Sequence, residues 1–175
     1  GALFDPAKLL VDPHALELDR PFVWDPRLAL PRDGAVDTAD LVPKAVVTDP
    51  VPAVAAPPLF RPGGLIYEVP VRAFTMLHPD VPEPLRGTVA ALAHPAVIEH
   101  LVGLGVDAVE LMPVTAWIDE RHLAPLGLRN AWGYNPVALM AVDPRLCPGG
   151  VDELRATVAA LRDAGIGTIL DLVFN

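Results

Sequence analysis

Residues 95–114 read PAVIEHLVGLGVDAVELMPV, a helix pattern followed at once by a short apolar strand pattern. Apolar residues recur at helical spacing from Val97 to Leu104. Pro95 suits the first position of a helix, and Gly105 suits the position just after its end. The apolar run after Gly105 is short and bounded by turn residues, as is typical of a buried strand. This stretch therefore predicts a helix that leads into a strand of a parallel sheet.

The same alternation extends in both directions along the chain. Leu65–Phe74 is rich in β-branched and aromatic residues and predicts an earlier strand. Val151–Ala164 predicts a second helix, with Glu153 placed to cap its start, and Thr168–Phe174 predicts a third strand. The order β-α-β-α-β with nearly continuous apolar strands indicates an α/β fold whose parallel sheet is covered on both faces.

Connections of unequal length separate these predicted elements. The helix-to-strand connections 105–107 and 165–167 are short, whereas the strand-to-helix stretches 75–94 and 115–150 are long. Long loops at the carboxyl ends of parallel strands carry the sites of barrel enzymes. This favours a (β/α)8 TIM-type barrel over a dinucleotide-binding sheet, whose glycine-rich turn follows its first strand. A full barrel takes roughly 250 residues, so 63–175 is predicted to be the first β-α-β-α-β part of one, incomplete by itself.

Residues 1–62 form a different kind of segment. About half of the 21 prolines lie there, and repeated Asp-Pro pairs bias the backbone toward extended geometry. We expect an extended, proline-rich lead-in with short helical turns, not an independent domain.

Composition excludes several classes of function. The chain is 52% apolar with a net charge of −9, which favours a folded domain and argues against a nucleic-acid partner. The longest stretch free of charged residues, Asn130–Val142, is too short for a membrane span. Cys147 is the only cysteine, and the five histidines lack metal-ligand spacing, so we expect no metal, no cofactor and a cytoplasmic protein.

An aromatic pair in the second long loop is the first candidate for function. Trp132 and Tyr134 flank a glycine and are followed by Pro136. Flat rings of this kind stack on the faces of sugars through dispersion contacts. The same pair could instead anchor the long loop to the fold, and the pattern alone leaves both interpretations open.

Carboxylates on the strands are the second candidate. Asp171 and Asn175 share one face of the third predicted strand, where a carboxylate is either structural or part of a site. Glu68 and Glu110 lie within the first two strands. We expect these two glutamates to pair with arginines such as Arg72 rather than to perform chemistry.

Five motifs carry a resemblance to a known family. In order, they are Ile66–Thr75, Arg86–Thr88 with Leu92–Pro95, Leu104–Val114, Asn130–Val137 and Ile169–Asn175. Together they resemble the first part of the catalytic barrel of the α-amylase superfamily, glycoside hydrolase family 13, and within it the isoamylase-type bacterial glycogen debranching enzymes. Lys8–Pro13 and Val42–Val47 resemble the segment that joins that family's N-terminal β-sandwich to its barrel.

The resemblance implies a substrate and a set of binding residues. It places Tyr134 against the sugar next to the scissile bond, and Asp171 and Asn175 at the start of a shared region whose following histidine would contact the same sugar. With Trp132 these form the predicted substrate-binding set. The implied reaction is retaining hydrolysis of α-1,6 branch points in α-glucans such as glycogen or limit dextrin. The family's catalytic carboxylates come from later strands, so we predict no catalytic residue here and no activity of the 175-residue chain alone.

Two other functions remain possible at this point. One is a sibling activity on the same barrel, such as a branching or trehalose-releasing enzyme. The other is a non-catalytic glucan-binding module. In either case, open sheet edges and an uncovered apolar face predict self-association.

Overall fold

A three-stranded parallel sheet forms the centre of the fold. The computed structural model describes residues 4–34, 36–49 and 56–174. In chain order its helices and strands are β1 (Ile66–Val69), α1 (Val71–Thr75), α2 (Pro95–Leu104), β2 (Ala108–Leu111), β3 (Thr115–Trp117), β4 (Pro136–Val142), α3 (Gly150–Asp163) and β5 (Gly167–Leu170). The parallel sheet has the order β1-β2-β5. The expected α/β fold with a parallel sheet is thereby confirmed, while closure into a barrel stays a prediction.

The register of the sheet sets which side chains share a layer. Glu68 lies opposite Glu110, and Glu110 lies opposite Ile169. Because side chains alternate between the two faces of a strand, these three residues point to the same face. Asp171 follows β5, and its amide donates to the carbonyl of Leu111 at 3.0 Å, which continues the ladder beyond the last paired residue.

The helix α2 begins and ends where the sequence predicts. Pro95 occupies the first turn, and Nδ1 of His94 accepts a hydrogen bond from the amide of Ala96 at 3.3 Å. Gly105 ends the helix with a φ of +73°, a left-handed conformation that glycine adopts without steric cost.

The second long helix, α3, is also capped by a side chain at its start. The carboxylate of Glu153 accepts from the amide of Gly149 at 2.7 Å, so Glu153 caps the helix start as expected, though it bonds Gly149 and not Gly150.

Both helices pack on one face of the parallel sheet. Val97 of α2 and Leu161 of α3 lie in the same buried cluster as Val69 and Val109 of the strands. On the opposite face Glu68 is exposed. Ala108, which shares that opposite face, is fully buried. Within the described residues the helices therefore cover one face and the other is covered only in part, so the expectation that both faces are covered is met in part.

The strands are shorter than the sequence predicts, and in β1 and β2 the reason is a proline that interrupts the ladder. β1 ends at Val69, since Pro70 has no amide to donate, and residues 71–75 form α1 instead. β2 ends at Leu111, shortly before Pro113. β5 ends at Leu170, and residues 171–174 carry no strand assignment.

The second long loop contains structure of its own. β3 and β4 form an antiparallel ribbon, in which Thr115 lies opposite Val142 and Trp117 lies opposite Pro136. The apolar residues of β4 do not predict this pairing, because the sequence shows no strict alternation there.

The lead-in packs against this ribbon. Its described part contains two short 3-10 turns, at Pro26–Ala29 and Arg32–Gly34, and one isolated bridge between Leu18 and Ala45. Leu18 is buried in a cluster with alanines of β3 and β4. The described part of this segment therefore contains short helical turns as expected, whereas its extended character and its role as a lead-in stay predictions.

Candidate functional site

The loop between β3 and β4 is held by hydrogen bonds across its base. The amide of Ile118 donates to the carbonyl of Asn135 at 3.0 Å, and Nδ2 of Asn135 donates back to the carbonyl of Ile118 at 3.1 Å. Residues 119–134 therefore leave and re-enter the ribbon at a fixed point.

Asn130 sets the direction of the loop toward its aromatic residues. Its backbone amide donates to Oδ1 of Asp119 at 3.0 Å, and its side-chain Nδ2 donates to Oε1 of Glu120 at 3.0 Å. Its Oδ1 accepts from the amides of Trp132 and Gly133, both at 2.9 Å. One side chain thus fixes the backbone that carries the aromatic pair.

Gly133 brings the backbone close to the end of β2. Its φ is +80°, and a Cβ at this position would lie 2.9 Å from the carbonyl oxygen of Pro113. Only glycine fits this close approach without a shift of the backbone. The glycine between the two rings is therefore required by packing, which the sequence pattern does not reveal.

Tyr134 and Asp171 meet at the carboxyl ends of neighbouring strands. The Tyr134 hydroxyl donates to Oδ2 of Asp171 at 2.5 Å. This hydrogen bond is the main reason that the pKa of Tyr134 is raised to about 12, and desolvation adds to the effect. The phenol therefore stays protonated and acts as a donor throughout the neutral range.

Two further carboxylates lie near the same phenol. The charges of Glu68 and Glu110 also raise the pKa of Tyr134, after the contribution of Asp171. No ion pair joins either glutamate to Arg72 or another base within the described residues, so the expected arginine pairing is wrong. The open face of the sheet instead presents uncompensated negative charge beneath Tyr134.

A cavity of about 410 Å³ lies beside Tyr134 and Glu68. Trp132 is 66% exposed at its edge, and its ring is 6.4 Å from that of Tyr134 in an edge-to-face arrangement. Burial of Trp132 therefore contributes little to anchoring the loop. The lining of this first cavity consists of Glu68, Pro70, Met112, Trp132 and Tyr134.

The predicted binding residues are placed as follows. Trp132, Tyr134 and Asp171 lie together at one end of the sheet. Asn175 lies outside the described residues. Their roles in binding stay predictions, because proximity alone does not show a ligand.

A buried ion pair that the sequence analysis missed supports the base of the loop. Asp143 is fully buried and accepts from Nε of Arg145 at 2.8 Å and from the amide of Trp117 at 3.3 Å. The guanidinium of Arg145 also lies 3.9 Å from the centre of the Trp117 ring. The Asp143-Pro144-Arg145 sequence is an ordinary turn pattern, and nothing in it signals this role.

Other chemistry finds little support in the described part of the chain. It contains no group of three or more His, Cys, Asp or Glu side chains that could hold a metal ion. Burial raises the pKa of the Cys147 thiol to about 12, so this cysteine stays protonated and is a poor nucleophile. No helix among the described residues is long and apolar enough to cross a bilayer.

Comparison with solved structures gives the class of protein. No protein-family model matches the chain. The catalytic module of the glycogen-degrading pneumococcal virulence factor SpuA superimposes with a TM-score of 0.69 at 24% identity, over 95% of this chain and 25% of that one, which shows the fold. A type I pullulanase from Bacillus subtilis str. 168, solved with maltose, gives a TM-score of 0.61 at 27% identity, over 78% and 21%. The chain shares its fold with pullulanase- and amylase-type glycoside hydrolases.

Comparison of sequences narrows this class. A glycogen debranching enzyme of Yersinia pseudotuberculosis serotype IB is 45% identical over an alignment 192 positions long, which covers all of this chain and 28% of the relative. The enzyme of Yersinia enterocolitica serotype O:8 gives the same figures. The chain is therefore homologous, over its whole length, to a segment of the bacterial glycogen debranching enzymes, and the resemblance drawn from the five motifs is confirmed. It spans about 28% of the length of these curated relatives.

Proposed function

We propose that this chain is part of a glycogen debranching enzyme that hydrolyses α-1,6 branch linkages of glycogen-type glucans with retention of configuration. The similarity of the whole of this chain to a segment of debranching enzymes supports the substrate class. The observation that carries the proposal is the hydrogen bond of Tyr134 to Asp171, with Tyr134 and the exposed Trp132 lining a cavity at the carboxyl ends of parallel strands.

The geometry suits recognition of a glucosyl ring. The Tyr134 ring offers a flat apolar face, and its hydrogen bond to Asp171 holds the ring in one orientation. Retaining glycosidases pass through a positively charged, oxocarbenium-like transition state between two carboxyl groups about 5–5.5 Å apart. The negative charges of Asp171, Glu68 and Glu110 near the ring favour positive charge in this region.

The roles of the two parts of the chain follow from the same proposal. Residues 1–62 would join a preceding β-sandwich to the barrel, and residues 63–175 would form the barrel's first three strands. The catalytic carboxylates would come from strands outside this chain. The 175-residue chain alone is therefore proposed to be inactive, and the complete enzyme is proposed to act in the cytoplasm.

The test compares the full-length protein that carries this chain with the isolated chain. The open reading frame is first read beyond both ends, and both proteins are then assayed for reducing ends released from limit dextrin. We expect release by the full-length protein and none above background by the isolated chain. Activity of an intact 175-residue preparation would overturn its proposed inactivity and direct attention to Glu68 and Glu110.

Product analysis separates debranching from its alternatives. A debranching enzyme releases linear chains and lowers the share of α-1,6 linkages, whereas a branching enzyme raises that share and a trehalose-releasing enzyme gives trehalose. An open reading frame that adds no further strands, together with glucan binding and no product, would support a non-catalytic binding module instead.

A further inference from the structure

A second cavity of about 340 Å³ adjoins the first. It lies between the ends of β1 and β2 on one side and residues 127–132 on the other. Pro70, Met112 and Trp132 line both cavities, so the two are joined across these three side chains. Trp132 therefore stands between two adjacent spaces, with Tyr134 in the first and not in the second.

The second cavity differs from the first in its charge. Arg72 and Arg129 line it, both are exposed, and neither forms an ion pair within the described part of the chain. Each guanidinium offers several N–H donors and no acceptor. Arg145 also lines the cavity, but its guanidinium is held by Asp143 and the Trp117 ring. Two arginines are thus free to donate to a ligand.

The wall of the second cavity also contains a buried aromatic ring. Trp117 lines it and is only 5% exposed, yet its indole N–H donates to no acceptor among the described residues. Buried donors are ordinarily satisfied by protein, water or ligand. An aromatic wall with two exposed guanidinium groups and no carboxylate in its lining fits a neutral polyhydroxyl ligand, whose oxygens accept hydrogen bonds.

We propose that the second cavity is a glucan subsite next to the one at Tyr134. Arg72 and Arg129 donate to hydroxyl oxygens of a glucosyl unit there, and Trp132 contacts the glucan where it passes from one cavity to the other. This inference rests on the proposed function, because it takes an α-glucan to be the ligand at Tyr134.

The test measures binding of linear α-1,4 oligosaccharides of increasing length to the full-length protein by calorimetry. These ligands contain no branch linkage, so a debranching enzyme leaves them intact. The variants are Arg129→Ala and Arg72→Ala, which lie on different segments and expose their side chains to solvent. Arg155→Ala, an exposed arginine of α3 outside both cavities, is the matched control.

We expect the association constant of the unmodified protein to rise with oligosaccharide length as the ligand reaches the second cavity. Each of the two variants should lower the constant for the longest oligosaccharide about three- to tenfold, while the shortest binds as before. Trp132→Ala should weaken binding of the long oligosaccharides further, and Arg155→Ala should change nothing.

The two failures are distinguishable. If no oligosaccharide binds the unmodified protein, the proposed function itself fails. If oligosaccharides bind and both arginine variants match Arg155→Ala at every length, the proposed function stands and the second subsite is excluded. Binding of inorganic phosphate is measured for the same proteins. If the two arginine variants lose phosphate binding that the unmodified protein shows, while their oligosaccharide binding is unchanged, the cavity is an anion site and the inference is overturned.

Discussion

The hydroxyl of Tyr134 lies 2.5 Å from Oδ2 of Asp171, and this hydrogen bond joins the loop between β3 and β4 to the end of β5. The two residues are distant in sequence and belong to different connections of the fold. Their contact brings a flat aromatic face and a carboxylate to the same end of the sheet, where the proposed glucan site lies.

The first prediction separates sugar stacking from loop anchoring at Tyr134. In the full-length protein, Tyr134→Ala should lower kcat/KM on branched dextrin, because it removes the stacking face. The decrease should correspond to a loss of transition-state binding energy of roughly 1–3 kcal/mol. Tyr134→Phe keeps that face and loses only the bond to Asp171, so its loss should be about 1 kcal/mol or less. An alanine variant with a lowered Tm and normal kcat/KM would show that Tyr134 only anchors the loop.

The second prediction concerns the ionisation of Tyr134. In the 175-residue chain with Tyr67→Phe, Tyr134 is the only tyrosine, and its ultraviolet absorbance should titrate with a midpoint near pH 12. Asp171→Asn removes the charged acceptor, so the midpoint should move down toward the usual value near 10. Circular dichroism at each pH checks that the fold persists. Equal midpoints with and without Asp171 would contradict the hydrogen bond as the cause.

The raised pKa of Tyr134 also determines how the stability of the folded chain changes with pH. The folded chain holds the phenolic proton more tightly than the unfolded chain, so this contribution to stability is fully present below pH 10. It is lost as the pH rises from 10 toward 12. Asp171→Asn should therefore lose less stability than the Tyr67→Phe parent over that interval.

The third prediction concerns Gly133. Gly133→Ala combines a φ of +80° with a contact of 2.9 Å to the carbonyl oxygen of Pro113. The left-handed backbone alone costs about 1–2 kcal/mol for a residue with a Cβ. Because the clash adds to this cost, the free energy of unfolding should fall by more than that amount. Gly165→Ala is the control, with a φ of +82° and open space around its Cβ. Similar Tm changes for the two variants would show that the close approach to Pro113 adds nothing.

The fourth prediction concerns the buried pair of Asp143 and Arg145. Arg145→Ala should destabilise the chain by about 3–5 kcal/mol, because it leaves a buried carboxylate without its partner. Arg155→Ala breaks an exposed pair with Asp152 and should cost about 0.5 kcal/mol or less. Denaturant unfolding of both variants measures the difference. A small effect at Arg145 would mean that Asp143 is satisfied without it.

The fifth prediction is self-association of the 175-residue chain. Ile66, Leu170 and Phe174 are 38%, 41% and 77% exposed, close to strands whose outer edges are unpaired within the described residues. Light scattering across a concentration series should show a mass that grows above 18.6 kDa. A monodisperse monomer at high concentration would count against this prediction.

Local patterns in the sequence predicted part of this fold closely. The helix α2 runs from Pro95 to Leu104 as expected, because its limits depend on the preferences of proline and glycine. The lengths of β1 and β2 were overestimated, since prolines at 70 and 113 interrupt strands whose residues remain apolar beyond them. A strand ends where hydrogen bonding to its neighbour ends, and apolar character does not report this.

The sequence indicated which residues lie at the candidate site better than it indicated the contacts between them. Trp132, Tyr134 and Asp171 were named from the sequence, and topology alone places strand ends near one another. The interpretation of Glu68 and Glu110 as arginine partners was wrong, because pairing depends on which side chains the register brings together. The roles of Asn130 and Asp143 and the second cavity were not foreseen.

The sequence by itself determined the order of the central elements β1, α2, β2, α3 and β5, the caps of α2 and the homology to debranching enzymes, because these depend on neighbouring residues or on motifs in order. The tertiary structure alone decided which side chains meet: Tyr134 with Asp171, Asp143 with Arg145, and Trp132 between two cavities. Such contacts join residues far apart along the chain, and their geometry depends on strand register and backbone turns that no local pattern encodes.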